Sequence, residues 1–496
     1  MRSSLLPVLL VAAAASPLYL ASASKIVDHD VFVMGEVAQM VLDGGTLYES
    51  AWDNKAPLAL LPYALPLGLA PGSYRAVQAG LLAIVTLQAI LLWGMLRGEA
   101  AWFRVGAAAL AILMPLHAPE FVWWSSEDVA NLLVIPVVVG SYRIASRGEL
   151  GRGACLGIGA GLVLGFHARQ TVLLLGLVPL AALLGCGAPA ARRLGAAAWM
   201  AAGAAVGLAA IAALITWVGD WGGYVETVFL APRRYKGHPW NMIQGIYGAK
   251  DRLPAAMMVA STVVLAARGP GRPFYLALAA ASAGVVLSPM KPFYHYYEQL
   301  TPALCLMVPA AIGRLCPPRE APVALGAVLA AVGLNGVLTC GHLGLVNTEL
   351  PGTQALGPMD RVVEAIEGHA GEDDTLFAAG GASAYLYFAT DIPSANPYFW
   401  DLFFTTNILG LAPVDPESVY RDYEADPPDL LVLDRRTMAL ARGESDPGGL
   451  VRYAAMLSGW LESGRFQEVE QVEGYTIFRL RGLPAANGPE AVRAER

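Results

Sequence analysis

The sequence predicts an α-helical polytopic membrane protein, with about eleven transmembrane helices and a small C-terminal α/β domain. Hydrophobic residues make up 56% of the 496 positions and charged residues only 15%, which is more apolar surface than one soluble core buries. Apolar runs close to the spanning length of about 20 residues recur along the first two thirds of the chain. After about position 345 the composition becomes ordinary and more acidic, as in a soluble domain.

The N-terminal segment has the features of either a signal peptide or a first transmembrane helix. Arg2 precedes the apolar run from Leu5 to Leu20, and the small residues 21–23 follow at a plausible cleavage point. We expect the segment to be retained as a helix, because it would then pack beside the polar loop that follows it. In either case residues 25–57 emerge on the outer side of the membrane.

Ten further spans are expected from the apolar runs. They lie at about residues 76–96, 101–117, 127–145, 153–167, 170–185, 194–218, 253–267, 273–287, 299–313 and 321–340. Alternate connections carry arginines, which face the cytoplasm by the positive-inside rule. The other connections and the C-terminal domain are therefore expected on the extracytoplasmic side of the membrane.

These patterns divide the chain into three parts. The predicted parts are a transmembrane domain over 1–343 that includes the first external loop 25–57, an extracytoplasmic α/β domain over 344–482, and a disordered tail over 483–496. In the second part, a helix near 360–367 and strands at 375–379, 429–434 and 475–480 follow from periodicity. We expect this domain to act as a cap or an acceptor-recognition element, since its glycine turn lacks the GxGxxG spacing of nucleotide sites.

The first external loop, residues 25–57, collects charged side chains between membrane segments. Asp28, Asp30 and Glu36 precede Lys55, and apolar residues between 33 and 40 recur at helical spacing. This spacing predicts a short helix along the membrane surface, ended by the turn at 43–45. One explanation of the acids is that they only favour the start of that helix through its dipole. Charged groups near a bilayer are otherwise kept where water, partners or ligands satisfy them, which makes this loop the first candidate site.

A second polar cluster precedes the span at 299–313. Lys291 and His295 lie four residues apart, so on a helical turn both would face one way and hold a phosphate. Lys55 and Lys291 each lie beside a proline at the mouth of a membrane segment, at the depth of lipid phosphates. Tyr296 and its neighbouring tyrosines are also typical of the aromatic belt at a membrane boundary.

Other external residues are candidates with an equally simple structural explanation. Glu127 and Asp128 open a span after His117, and acids at a helix N-terminus are favoured by its dipole alone. Arg169 lies in a short connection, where it would touch a carrier phosphate or serve as a boundary arginine. Asp53 lies two residues before Lys55.

Several classes of function and site are disfavoured. The sequence has no basic patch of the kind that nucleic acid requires. Its five cysteines form no CxxC pair, which argues against a zinc cluster or a disulfide framework. A pair of carboxylates near a phosphate would suit a divalent metal, but no ligand spacing demands one. A transporter would carry ionisable residues within its spans and a repeat of helix pattern, and the sequence shows neither.

The two polar clusters resemble the external motifs of bacterial GT-C fold integral-membrane glycosyltransferases, relatives of protein O-mannosyltransferases and of the enzyme that adds aminoarabinose to lipid A. The matching residues of the first loop are Asp30, Glu36, Ala38-Gln39, Gly44-Gly45, Tyr48 and Trp52-Asp53-Asn54-Lys55-Ala56-Pro57. Ala56 stands where the family usually has a proline. The stretch from Lys291 to Leu300, followed by Pro302, is similar to the later basic, His-Tyr and proline element of the same families.

The resemblance implies an inverting transfer of sugar from a polyprenyl-phosphate donor to an acceptor hydroxyl on a glycan, lipid or protein. It favours Asp30 as general base, with Asp28 as the alternative and Glu36 as a further catalytic candidate. The residues expected at the donor phosphate are Lys55, Lys291, His295, Tyr296 and Arg169, and those expected near the acceptor or cavity are Asp53, Glu127, Asp128 and His117. A lipid-linked sugar transporter or flippase, and a non-catalytic relative that binds the carrier lipid, are the alternatives.

Overall fold

The structure is a computed structural model with a helical part followed by an α/β part. It describes residues 5–21, 25–26, 29–117, 124–234, 252–267, 271–289, 294–340, 354–400, 404 and 414–482. The N-terminal helical part extends to Cys340, and the C-terminal α/β part begins at Gln354.

The helical part consists of long apolar helices and shorter connecting helices. Its α-helices are α1 (Leu6–Ala21), α2 (His29–Leu42), α3 (Pro57–Leu60), α4 (Ala64–Leu67), α5 (Tyr74–Met95), α6 (Ala101–Leu113), α7 (Ser126–Arg147), α8 (Arg152–Phe166), α9 (Leu177–Gly185), α10 (Ala190–Val218), α11 (Trp221–Val225), α12 (Ala231–Arg234), α13 (Arg252–Ala267), α14 (Arg272–Leu287), α15 (Thr301–Leu315) and α16 (Ala321–Cys340). Turns of 3₁₀ helix lie at Leu61–Tyr63, Met114–Leu116, Gln170–Gly176 and Tyr294–Leu300, and a π-helical turn lies at Glu226–Leu230.

The helical part is that of a membrane protein. In the described ranges, four helices are long and apolar enough to cross a bilayer, at Tyr74–Met95, Ser126–Arg147, Ala190–Val218 and Ala321–Leu338. Shorter apolar helices occupy most of the other expected spans, and α15 occupies the one at 299–313. The total of about eleven spans stays a prediction, because several of these helices are shorter than a bilayer core is thick.

Two of the apolar helices, α8 and α10, approach until their backbones touch. A Cβ atom on Gly159 would lie 1.8 Å from the carbonyl oxygen of Met200, and one on Gly203 would lie 2.1 Å from that of Leu156. Small residues allow such close packing of helices in lipid, where burial of apolar surface gives little driving force. These two glycines are therefore required by the contact itself.

The C-terminal part is a four-stranded sheet covered by helices, and three of its strands lie where the periodicity predicted them. Its elements are α17 (Leu356–His369), β3 (Leu376–Ala379), α18 (Ser383–Thr390), α19 (Pro416–Ala425), β4 (Leu430–Asp434), α20 (Arg435–Ala441), α21 (Val451–Glu462), β5 (Phe466–Val472) and β6 (Tyr475–Leu480). The strand order is β3-β4-β6-β5, with β3 and β4 parallel and the other pairs antiparallel. The predicted strands thus form the buried centre, and the polar strand β5 lies at an edge.

The C-terminal part contacts the helical part through a short strand pair and through helix packing, among other contacts. The two-residue strands β1 (Lys25–Ile26) and β2 (Gln354–Ala355) pair antiparallel. Helix α2 lies against α18, where a Cβ on Gly35 would come within 2.7 Å of the Phe388 ring. The Phe32 ring of α2 packs between Tyr74 of α5, at 4.9 Å between ring centroids, and Tyr385 of α18, at 5.1 Å. Helix α2 is therefore held firmly between the two parts, and it carries Asp30 at its first turn.

Candidate active site

A cavity lies at the N-terminal end of α2, where five segments of the chain converge. These segments are α2, the loop before α3, the residues before α7, the connection after α8, and the 3₁₀ turn Tyr294–Leu300. The residues that line the cavity are Asp30, Met34, Lys55, Trp124, Ser125, Ser126, Glu127, Arg169 and His295. Both polar clusters identified in the sequence therefore meet in one place.

Lys55 is held between two carboxylates. Its Nζ lies 3.1 Å from Oδ2 of Asp53 and 3.4 Å from Oδ2 of Asp30. The Asp53 side chain is only 2% exposed, whereas that of Asp30 is 35% exposed. Desolvation on burial outweighs the nearby Lys55 and raises the pKa of Asp53. Asp53 thus orients the ammonium from its buried side, and Asp30 is the carboxylate that is exposed to the cavity.

Asp30 is an ionised carboxylate at neutral pH. Burial opposes its ionisation, but the charges of Lys55, His295 and Arg169, together with a hydrogen bond from Lys55, lower its pKa below the ordinary value. A carboxylate that stays charged while partly exposed to a cavity can accept a proton from a bound hydroxyl group. Asp30 therefore has the protonation state that a general base needs.

The loop that carries Lys55 is fixed by its own aromatic residues. The Tyr48 hydroxyl donates to the carbonyl oxygen of Lys55 at 2.9 Å, and Tyr48 adopts a positive φ of 73°. The indole of the buried Trp52 donates to Thr227 Oγ1 at 3.1 Å. Thr227 lies in the π-helical turn after α11, a feature that often occurs near functional sites. Lys55 is thereby presented from a rigid loop.

A second ion pair lies across the cavity. Arg169 Nη2 lies 3.2 Å from Oε1 of the buried Glu127, and Arg169 Nη1 donates to Ser126 Oγ at 3.3 Å. The guanidinium carbon also lies 4.4 Å from the centroid of the Tyr296 ring, a cation–π contact. Arg169 is thus oriented by three neighbours and keeps 16% of its side chain exposed.

His295 adds an imidazole beside these charges. Desolvation on burial lowers its pKa, the charge of Glu127 counteracts this, and Arg169 lowers it further, so the net shift is downward. The lowered pKa favours the neutral form of the imidazole.

The structure does not bring every predicted residue to the cavity. Glu36 lies on α2 but is turned toward the C-terminal part, where Asp391 is an electrostatic neighbour. His117 is buried and does not line the cavity. Its Nδ1 lies 2.7 Å from the carbonyl oxygen of Met114, and its own carbonyl oxygen accepts a hydrogen bond from Asn335. Asp28 and Lys291 lie outside the described residues.

Asp128 lies below the cavity, and several lining residues were not singled out from the sequence. Asp128 is fully buried and forms a capping box with Ser125 at the start of α7. The pattern Ser-x-x-Asp before an apolar run is a recognisable helix-start signal and would have identified Ser125. Met34 lies one helical turn after Asp30 on α2. Trp124 had no such signal.

The described residues include no group of three or more histidine, cysteine, aspartate or glutamate side chains placed to hold a metal ion. Two groups of ion pairs lie at the cavity. Lys55 pairs with Asp30 and Asp53, and Arg169 pairs with Glu127.

No protein-family model and no curated protein sequence matches the chain. Its structure is similar to that of ArnT from Cupriavidus metallidurans bound to undecaprenyl phosphate, with a TM-score of 0.63 at 14% identity over 96% of this chain and 98% of that one. The apo structure of the same protein gives 0.62 at 13% identity, over 95% and 97%. The mycobacterial arabinofuranosyltransferase AftD gives 0.51 at 14% identity, over 97% of this chain and 42% of that one. These proteins are GT-C fold glycosyltransferases, so this chain has the fold that its loop motifs predicted.

Proposed function

We propose that this protein is an inverting glycosyltransferase that moves a sugar from a polyprenyl-phosphate donor to an acceptor hydroxyl. The observation that carries the proposal is the cavity itself, in which the open carboxylate of Asp30 lies 3.4 Å from the Lys55 ammonium, with Arg169 also lining the wall. A base beside anion-binding groups is what this reaction requires. The shared fold with ArnT, whose structure was solved with undecaprenyl phosphate, supports a lipid-phosphate donor.

The proposed step moves one proton and one bond. The acceptor oxygen attacks the anomeric carbon while Asp30 takes its proton. The bond between the anomeric carbon and the phosphate oxygen breaks, and the carrier phosphate leaves with the electron pair. Lys55 and Arg169 stabilise the charge that develops on that phosphate, His295 contributes a hydrogen bond, and Tyr296 supports Arg169 through its ring. Attack from the face opposite the phosphate inverts the anomeric carbon.

Lys55 would link donor binding to the readiness of the base. In the structure its ammonium is shared between Asp53 and Asp30. An incoming phosphate would attract the same ammonium, and Asp53 would keep Lys55 oriented from its buried side. Asp30 would then lose a competing contact and accept the hydrogen bond of the acceptor hydroxyl. Donor binding thus prepares the base for the acceptor.

The location follows from the proposed topology. We place the cavity and the α/β part on the extracytoplasmic side of a bacterial inner membrane, because the arginine-rich connections lie at the opposite ends of the spans. The α/β part would act as a cap beside the acceptor, since Trp52 N donates to the Pro397 carbonyl at 3.2 Å and ties it to the loop that carries Lys55.

The decisive experiment is sugar transfer in proteoliposomes with radiolabelled polyprenyl-phosphate sugars and a membrane extract as acceptor. The wild type should transfer at least one sugar, and Asp30→Asn should lose about a hundredfold or more of the rate. Glu49→Gln is a matched control, because this exposed acid lies in the same external loop and does not line the cavity. Parallel reactions with a chelator report any need for a divalent metal.

The same preparation distinguishes the alternatives. Loss of transfer in Asp28→Asn, with Asp30→Asn active, would move the base by two residues and leave the reaction class unchanged. Protein-dependent movement of donor across the bilayer without transfer would make the protein a lipid-sugar transporter. Tight binding of the carrier phosphate with neither transfer nor movement would make it a non-catalytic relative. Either of these last two results overturns the proposal.

A further inference from the structure

Two carboxyl groups lie against each other beneath the cavity. Asp128 at the start of α7 is 0% exposed and Glu298 in the 3₁₀ turn Tyr294–Leu300 is 1% exposed. The second oxygen of each carboxyl group, Asp128 Oδ1 and Glu298 Oε1, is buried and accepts no hydrogen bond from a donor of the described residues. Ser125 Oγ bridges the pair, at 3.2 Å from Asp128 Oδ2 and 3.1 Å from Glu298 Oε2. The backbone N–H of Ser125 also donates to Asp128 Oδ2 at 2.8 Å.

A hydrogen bond between two carboxyl groups requires a proton on one of them. Two ionised carboxylates in a buried site would repel each other and lose their hydration. The other acidic neighbour is Glu127, which is paired with Arg169. Burial and the charges of Asp128 and Glu127 raise the pKa of Glu298 well above its ordinary value. One shared proton is therefore retained at neutral pH.

The other elements packed on this turn bring no further charge to the pair. Residues 253–267 of α13, 273–287 of α14 and 301–312 of α15 contain no aspartate, glutamate, lysine, arginine or histidine. The turn itself contributes His295 and tyrosines, and the connection after α8 contributes Arg169. The shared proton therefore depends chiefly on Asp128 and Glu298.

Hydrogen bonds at and beside Glu298 tie its turn to neighbouring elements. Asn131 of α7 donates to the Glu298 carbonyl at 3.0 Å, and Gln88 of α5 donates to the Asp128 carbonyl at 3.0 Å. Thr171 donates to Gln299 Oε1 at 2.9 Å. One turn earlier in the same segment, His295 lines the cavity and Tyr296 lies under Arg169. The carboxyl pair thus belongs to the buried anchor of a segment in which His295 lines the cavity and Tyr296 supports Arg169.

We propose that Glu298 is a positioning residue, which shares one proton with Asp128 and so holds the segment 294–300 with His295 at the cavity and Tyr296 against Arg169. Glu298 does not line the cavity and is almost fully buried. It acts through the residues beside it and does not touch the substrate. This inference deepens the proposed function, because it assigns a further residue to the same site.

Two substitutions separate the shared proton from simple packing. In Glu298→Gln the amide N–H₂ donates permanently to Asp128, as the protonated acid does. We expect Glu298→Gln to keep the transfer rate at pH 7 within about threefold of wild type. Glu298→Ala removes the group that shares the proton and leaves Asp128 with Ser125 alone, and we expect it to lose about tenfold or more in kcat/KM for the donor.

The pH dependence supplies a readout that a purely structural role would not change. The folded protein holds this proton to a higher pH than the unfolded chain, in which the pKa of glutamate is about 4.3. The free energy of unfolding therefore falls as pH rises above that value. Wild type should lose both transfer rate and melting temperature toward alkaline pH, and Glu298→Gln should lose less of each.

The outcomes distinguish this inference from the proposed function. If wild type transfers no sugar with any donor, the proposed function fails, while melting temperatures of wild type and Glu298→Gln between about pH 5 and 9.5 still test the pair. The same pH dependence in both proteins would overturn the shared proton. Wild-type kinetics in Glu298→Ala, or an equal loss in Glu298→Gln and Glu298→Ala, would overturn the positioning role.

Discussion

Replacement of Glu36 by glutamine should flatten the dependence of stability on pH. Glu36 is 4% exposed and lies on α2 where this helix meets the C-terminal part. Desolvation on burial, followed by the charges of Asp391 and Asp43, raises its pKa to about 8. Glutamine has nearly the same shape and carries no ionisable proton. The substitution therefore removes one titration and preserves the packing.

The structure sets the direction and the upper limit of this effect. The pKa of Glu36 rises from 4.5, the ordinary value for a solvated glutamate, to about 8 in the fold. Between these values the folded state binds more protons than the unfolded chain, so stability falls as pH rises. At about 1.4 kcal/mol for each pH unit, this carboxyl group accounts for at most about 5 kcal/mol of loss. Little further change is expected above pH 8.

The measurement is the apparent melting temperature in detergent, at intervals from about pH 4.5 to 9. Wild type should become less stable across this range, and Glu36→Gln should show a smaller decline and a higher melting temperature at pH 8. Glu49→Gln is the control, since Glu49 is exposed in the adjacent loop. The difference between Glu36→Gln and wild type isolates this group from other titrating residues.

A parallel decline in wild type and Glu36→Gln would refute the reasoning, because it would show that Glu36 ionises similarly in the folded and unfolded states. A lower melting temperature of Glu36→Gln at every pH would refute it as well. That result would mean that the carboxylate form makes a stabilising contact at the junction between α2 and the α/β part.

Three other substitutions test the cavity and the helix packing. Lys55→Met should reduce transfer by about a hundredfold or more, because it removes the ammonium that contacts Asp30 and Asp53; single-turnover rates measure this, and near-normal rates would contradict the role. Arg169→Lys should raise KM for the donor about tenfold, since lysine keeps the charge but loses the planar contacts with Glu127 and the Tyr296 ring; an unchanged KM would argue against a phosphate contact. Gly203→Ala should lower the melting temperature strongly, because its Cβ would lie 2.1 Å from a backbone carbonyl oxygen. Gly195→Ala is its control on α10, where nothing lies within 4 Å of an added Cβ, and an equal effect of both would contradict the contact.

The membrane helices and the central strands were predictable because their signals are local. The run expected at 76–96 is α5 at Tyr74–Met95, and the buried strand expected at 475–480 is β6. A long apolar run or a short buried strand follows from composition and period alone. Strand β5 was missed because its sequence Gln-Glu-Val-Glu-Gln is polar, and an edge strand covered by water has no need of apolar residues.

Contacts between distant residues were beyond the reach of sequence patterns. Ser125 meets Glu298 across 173 positions, and Trp52 meets Thr227 across 175. None of these residues has a local sequence pattern that indicates its distant partner; Ser125, for example, has the pattern of a helix cap. Only the packing of α7 against the turn Tyr294–Leu300 turns Glu298 into half of a buried acid pair. The segment had been recognised for Lys291 and His295, but its anchor had no signal of its own.

The direction of the Glu36 side chain nevertheless follows from helix geometry, once the first loop is taken as a helix. Residues six apart on an α-helix are separated by about 600°, or 240° around the axis, so Asp30 and Glu36 face different directions. Residues four apart lie on one face, as Asp30 and Met34 do in the cavity. The two acids that carry the resemblance therefore differ in their surroundings, although they lie on one helix. Asp30 faces the cavity, and Glu36 faces the α/β part. Asp30 and Glu36 lie on the same helix, so a change in the protonation of Glu36 would act on the proposed base through that helix.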